Sequence, residues 1–219
     1  MNRSIAEIRE KIASAALKSG RSAEDITLVA VTKNVPIDII REAIECGITD
    51  IGENRVQEFF SKGIENLTVN RHLIGHLQRN KVRQIVGKVG LIQSVDSLPL
   101  LSEINSQAAK LGIVQDVLAQ INISGEESKF GLPPEIYGEF AAEAKKLENV
   151  ALRGLMTIPP LTADTEFLRS IFCSAREMFE RANEPWDILS MGMSSDFELA
   201  IECGANMVRV GSGIFGGRG

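Results

Sequence analysis

Apolar and polar positions switch repeatedly between two periods along the 219 residues, and this switching predicts strands alternating with helices. The chain opens on a helical stretch that sets Ile5, Ile8, Ile12 and Leu17 on one side and stops at Gly20. ITLVAVT at 26–32 is a short apolar run rich in β-branched residues, the pattern of a strand buried on both faces. A helix over 36–46 follows, with Pro36 in its first turn and Gly47 as its stop. A short strand at 50–52 precedes a helix over 55–62. HLIG at 72–75 reads as the third strand, followed by a basic helix from Arg79 to Arg83 and beyond. LIQSV at 91–95 leads to a helix over 98–111, DVLAQINI at 116–123 to a helix over 134–147, and VALRGLM at 150–156 to a helix over 164–182. DILSM at 187–191 precedes a helix over 196–203, and MVRV at 207–210 precedes a short final helix.

These are eight strand–helix pairs of roughly 25 residues each, and repeated βα units imply a parallel sheet. Eight units favour a closed (β/α)8 barrel of the TIM type, with one extra helix at the N-terminus; a doubly wound open sheet is the alternative. No linker, low-complexity tract or shift of composition divides the chain, so one domain over 1–219 is expected. AIECG at 43–47 recurs at 200–204, each time closing a helix ahead of a strand, which fits either a shared helix-ending pattern or duplication.

Composition narrows the partners. Lys and Arg number 24 against 29 Asp and Glu, a net charge of −5, and aromatics make up 5%. Mild acidity and few stacking side chains argue against nucleic acid and membrane surfaces. No apolar run approaches the ~18 residues of a membrane span. The first twenty residues carry Glu7 and Glu10 and lack the apolar centre of a signal peptide. Cys46, Cys173 and Cys203 are odd in number and widely spaced, without a CxxC, which suits reduced thiols in the cytoplasm acting as small buried hydrophobes at helix ends. His72 and His76 lack a third ligand, so no metal site is expected. The basic residues 79–83 read as a solvated helix face.

In such barrels chemistry gathers at the C-terminal ends of the strands. The first strand ends in Thr32-Lys33-Asn34, which aims Lys33 at the mouth, where a neutral amine can form a Schiff base with a carbonyl. After the seventh strand comes GMSSDFE at 192–198, where Ser194 or Ser195 can cap the following helix and Ser195 and Glu198 have capping-box spacing. After the eighth comes GSGIFGG at 211–217. Glycines, hydroxyls and free N–H groups in these two loops suit a phosphate. A lysine amine and a phosphate cradle fit pyridoxal 5′-phosphate (PLP), or a phosphosugar as in a class I aldolase. Arg209, inside the eighth strand, favours PLP: a buried guanidinium needs acceptors, and a pyridine nitrogen is one.

With these residues in view, the chain resembles the YggS/PROSC family of PLP homeostasis proteins. The likeness spans LVAVTK at 28–33, GENRVQE at 52–58, HLIGHLQRNK at 72–81, ESKFG at 127–131, GLMTI at 154–158, LSMGMSSDFELAI at 189–201 and VRVGSGIFGGR at 208–218. It implies a PLP-loaded barrel similar to the N-terminal domain of alanine racemase. Lys33 would hold PLP as a Schiff base, Ser194, Gly211 and Ser212 would hold the phosphate, Arg209 would face the pyridine nitrogen, and Asn54 and His76 would line the mouth. Three positions depart from the family: Arg71 where Trp is usual, Ser212 where Thr is usual and Gly213 where Ala is usual. Ser212 keeps the hydroxyl, and Gly213 weakens the start of the last helix slightly.

A racemase needs a second base on the opposite face of the cofactor, supplied in alanine racemase with the help of a second domain. This chain has one tyrosine, Tyr137, in the fifth-strand helix. The expected function is therefore a non-catalytic PLP carrier in vitamin B6 homeostasis, with apo-PLP enzymes as recipients; a PLP-dependent racemase is the alternative. Nothing demands a dimer, so a monomer is expected. Lys129 is a weaker candidate for a secondary PLP or exchange site.

Overall fold

The computed structural model describes residues 1–126, 129–182 and 186–216. Its eight strands are β1 (Thr27–Val31), β2 (Asp50–Glu53), β3 (Asn70–Leu73), β4 (Leu91–Val95), β5 (Gln115–Ile121), β6 (Val150–Thr157), β7 (Ile188–Ser190) and β8 (Met207–Val210). Each pairs in parallel with the next, and β8 returns to β1 through Thr27↔Met207 to Ala30↔Val210, so the sheet closes into a barrel with no edge. The expected fold is the observed one.

Around the sheet lie α1 (Asn2–Lys18), α2 (Ile37–Glu45), α3 (Val56–Ser61), α4 (Val82–Ile85), α5 (Leu98–Leu111), α6 (Tyr137–Ala144), α7 (Thr165–Arg181), α8 (Phe197–Glu202) and α9 (Ser212–Phe215). The strands are buried on both faces because two cores meet them. The larger lies between sheet and helices, where Phe59, Phe140 and Phe172 are fully buried. The smaller lies inside the barrel and consists of Val29, Leu91, Leu118, Met156 and Met207.

Local details differ from the pattern reading. α1 buries Ile5, Ile8, Ile12, Ala15 and Ala16, whereas Leu17 is 77% exposed, because the helix turns its last apolar contact over to alanine. α1 is held on α8 by Arg21, which donates to the carbonyls of Ile201 and Ala205. The basic stretch after β3 is a 3-10 turn (Arg79–Lys81) leading into the four-residue α4. Arg71 lies within β3, where the strand starts two residues earlier than its apolar pattern suggests, and donates to the Glu65 carbonyl at 2.5 Å. Cys46 and Cys203 cap helices as expected, but Cys173 is exposed and in the body of α7.

Candidate functional site

A cavity of about 960 Å³ opens at the C-terminal ends of the strands. Lys33, Asn54, Ser194, Arg209, Gly211 and Ser212 all line it, so six of the seven residues singled out from sequence share one space. Ile74, Ile158 and Met193 add apolar wall.

Lys33 stands two residues beyond β1, between two residues that are pinned in place. Thr32 Oγ1 donates to Glu53 Oε1 at 2.7 Å, and the Thr32 carbonyl accepts from Lys62 Nζ at 2.8 Å. Asn34 has a left-handed φ of 58°, a conformation asparagine tolerates, and its N–H donates to Glu58 Oε2 at 2.9 Å. Lys62 ties these groups together through Glu53 at 2.7 Å and Glu58 at 2.9 Å. Burial acts to raise the Glu58 carboxyl, but the Asn34 N–H and Lys62 outweigh it and hold the group below its ordinary value. Glu53, Glu58 and Lys62 were not among the expected site residues. Their signal was present: Glu58 and Lys62 have the i,i+4 spacing of a helical ion pair.

The loops after β7 and β8 meet through Ser194. Its Oγ accepts from the amides of Gly211 at 3.1 Å and Gly213 at 3.4 Å, so a hydroxyl oxygen lies where those N–H groups point. The helix after β7 is instead capped by Asp196, without a side-chain hydrogen bond to the helix, and neither serine serves as its cap. Asp196 Oδ1 accepts from the Met193 N–H at 2.6 Å, bracing the same loop; burial raises its carboxyl above the ordinary value, against that hydrogen bond and the pull of Arg209. Gly192 turns the chain with φ 94°, where a Cβ would come within 2.6 Å of Ala200 Cβ. At Gly213 a Cβ would meet Val210 at 3.0 Å and Ile8 at 3.1 Å, so the packing of α1 accounts for glycine at this position.

Arg209 is 3% exposed. Nη1 donates to Ser190 Oγ at 2.6 Å and Nη2 to the Thr157 carbonyl at 2.9 Å. Burial pushes its pKa down to about 10, with Asp196 opposing, so it remains a cation at neutral pH. The bonds continue away from the mouth. Ser190 Oγ donates to Gln93 Oε1 at 2.6 Å, Gln93 Nε2 lies 3.2 Å from His72 Nδ1, and His72 Nε2 lies 3.0 Å from Asp50 Oδ1. This order of donors assigns the His72 proton to Nε2. Gln93 and Asp50 escaped the sequence reading, and His72 was weighed there only as a metal ligand, although a polar residue within a strand buried on both faces is a visible signal.

His76 is the exception among the expected residues. It lines a neighbouring cleft of about 480 Å³ with Arg55, Gln57, Gln78 and Lys81, and Asn54 borders both spaces. After β3, Gly75 lies against Asn54, where a Cβ would come within 2.3 Å of the Asn54 carbonyl oxygen. The imidazole then stacks on Phe130 at 3.8 Å and bonds Asp96 through Nδ1 at 3.2 Å. Lys129 lies in the loop after β5 and does not line the mouth. Within the motif blocks, Glu127, Ser128, Gly217 and Arg218 lie outside the described residues.

The described lining offers two titratable side chains, Lys33 and Arg209. Tyr137 is buried in the outer layer against Trp186, ring centroids 5.4 Å apart, and does not reach the cavity.

Comparison with known proteins gives a consistent picture. Residues 6–219 match the family model described as alanine racemase, N-terminal domain. The pyridoxal phosphate homeostasis protein of Aquifex aeolicus is 43% identical over 98% of this chain and 96% of its own length. That of Escherichia coli is 40% identical over 98% and 95%. The structure of PipY from Synechococcus elongatus with PLP bound superposes with a TM-score of 0.84 at 35% identity, covering 95% of this chain and all of PipY.

Proposed function

This chain belongs to the family of pyridoxal phosphate homeostasis proteins, and from that premise we propose that it holds PLP at the barrel mouth and serves as a carrier of the cofactor without catalytic turnover. The observation that carries the reading is the meeting of Lys33, Arg209 and the Ser194, Gly211 and Ser212 loops around one cavity. This set fits the group: an amine for the aldehyde, N–H and hydroxyl donors for the phosphate, and a cation for the ring nitrogen. PLP, when bound, supplies an aldehyde that condenses with amines and a ring that can accept electrons from the atoms attached to it.

Lys33 is the residue that would hold the aldehyde covalently, and the Glu53–Lys62–Glu58 cluster keeps the backbone on both sides of it in place. Ser194, Gly211 and Ser212 would bind the phosphate, with Ser194 Oγ giving up the two amides it now occupies. Arg209, locked by Ser190 and Thr157, would face the ring nitrogen as a donor that stays charged. It would not give that nitrogen a proton, and the ring would remain a weak electron acceptor. Asn54 would close one wall, and His76 would take no part.

Two features support carriage over catalysis. Arg209 weakens the ring for electron-demanding chemistry. Besides Lys33 and Arg209, the described lining also holds no titratable side chain to serve as the second acid or base that racemisation needs. Such a carrier would buffer the cofactor or pass it to apo-enzymes in the cytoplasm. No helix among the described residues is long and apolar enough to cross a membrane.

The test is the absorption spectrum of the protein as purified, before and after Lys33→Ala. The expected result is a visible pyridoxyl band, fixed to Lys33 by borohydride and absent from the variant. A colourless protein that borohydride leaves unmodified refutes PLP binding. Exchange of amino-acid α-hydrogens in heavy water that Lys33→Ala abolishes would replace the carrier with an enzyme.

A further inference from the structure

Outside the mouth, the fold brings together two sulfurs that the sequence keeps far apart. Cys173 in α7 and Cys203 at the end of α8 are 30 residues apart, yet their Sγ atoms lie within 3.7 Å. The S–S bond of a disulfide is ~2.05 Å, so the remaining gap is of the size side-chain rotation can close. The two thiols differ in a way that orders their reactions. Cys173 is exposed, whereas Cys203 is buried. Burial, and then the neighbouring Cys173 thiol, push the Cys203 thiol up to about 12. Arg169 Nη1 lies 3.9 Å from Cys203 Sγ, a cation placed to favour the thiolate as it forms. Cys46, half-buried, serves as an internal control.

We propose that Cys173 and Cys203 form an oxidation site for peroxides, converting between a dithiol and an intramolecular disulfide that joins α7 to α8. The Cys173 thiolate attacks one oxygen of hydrogen peroxide. An S–O bond forms, the O–O bond breaks, and the departing hydroxide is protonated to water, leaving a sulfenic acid on Cys173. Cys203 sulfur then attacks Cys173 sulfur. The S–S bond forms, the S–O bond breaks, and the second hydroxide leaves as water with the Cys203 proton. Each sulfur gives up one electron, and the peroxide takes both. The link fastens the C-terminal end of α8, whose other end follows directly on Asp196 and the Ser194 loop.

The experiment treats the full chain, unmodified and as Cys46→Ser, with an equimolar amount of hydrogen peroxide and maps the peptides without reduction. The expected result is joint loss of both thiols and a mass decrease of two hydrogens. The tryptic peptide 170–176 should be joined to 182–209, and dithiothreitol should restore both. In Cys203→Ser, dimedone should instead capture a sulfenic acid on Cys173. The proposal is overturned if Cys173 gains two or three oxygens while Cys203 keeps its thiol. It is equally overturned if Cys173 links two copies of the chain, or if neither sulfur reacts. None of these readouts depends on PLP, so failure here leaves the carrier reading standing.

Discussion

Two polar regions share the barrel and differ in how their groups are partnered. In the interior, Arg209, Ser190, Gln93, His72 and Asp50 form one chain in which each side chain meets the next within 3.2 Å. At the mouth, Lys33 Nζ and Ser212 Oγ have no hydrogen-bond partner among the described residues, and the buried Asn54 Oδ1 has none either. Buried polar groups cost stability unless they are paired, so the interior chain is a scaffold that must be complete. Lys33 Nζ and Ser212 Oγ cost little while water reaches them, whereas the buried Asn54 Oδ1 is unpaired at a cost, and all three are free to meet a ligand. Arg209 belongs to both regions: it ends the interior chain and lines the cavity.

The contrast is sharpest at Lys33. Lys33→Ala should remove all covalently held cofactor while leaving the melting temperature within ~1 °C in the cofactor-free protein, since an unpartnered surface-reaching side chain contributes little to folding. Calorimetry of the cofactor-free variant checks the second half, and a large loss of stability would erase the distinction between the regions.

Gln93→Leu tests the interior. It strands the Ser190 hydroxyl and His72 Nδ1, and should cost about 2 kcal/mol, or roughly 6 °C in melting temperature for a chain of this size. A variant as stable as the parent would mean that the chain is not a scaffold. Ser212→Ala, back at the mouth, should leave stability unchanged and loosen cofactor retention about tenfold, ~1.4 kcal/mol, as one hydroxyl to a charged group is lost. Dialysis followed by spectroscopy measures it.

The smallest expected effect is a dependence on pH. Burial acts to raise the Asp50 carboxyl, but hydrogen bonds from His72 and Thr49 outweigh it and hold the group below its ordinary 3.8. A depressed folded-state pKa gives stability that is present above 3.8 and lost as pH falls through the folded value. Asp50→Asn should therefore cost on the order of 1 kcal/mol at pH 7 and progressively less below 3.8. Urea midpoints across that range follow the closing difference, and a gap independent of pH would show that the carboxylate charge does not contribute.

Much of the mouth was legible because its parts are local in sequence. Lys33 ends an apolar strand, and the glycine–serine loops follow two others, so strand order alone brings them together. His76 was expected at the mouth but lines the neighbouring cleft and stacks on Phe130, a contact from a distant loop that periodicity does not record. Ser194 was read as a helix cap because capping is a local pattern, but its hydroxyl bonds a loop 17 residues away. The Glu58–Lys62 pair was visible as a helical spacing, although its service to the end of β1 was not.

What the sequence determined by itself is the alternation of eight strands and helices, and with it the barrel and the position of Lys33, Arg209 and the two glycine–serine loops at its ends. These follow from short-range periodicity and from the strand-after-strand order that a parallel sheet imposes. Barrel closure decided the rest. Gln93 and Ser190 are 97 residues apart and bond only because the strands of a closed sheet face one interior. Cys173 and Cys203 meet only because α7 and α8 pack side by side on it. Contacts of that kind depend on the register of the whole sheet, which no local window of the chain contains.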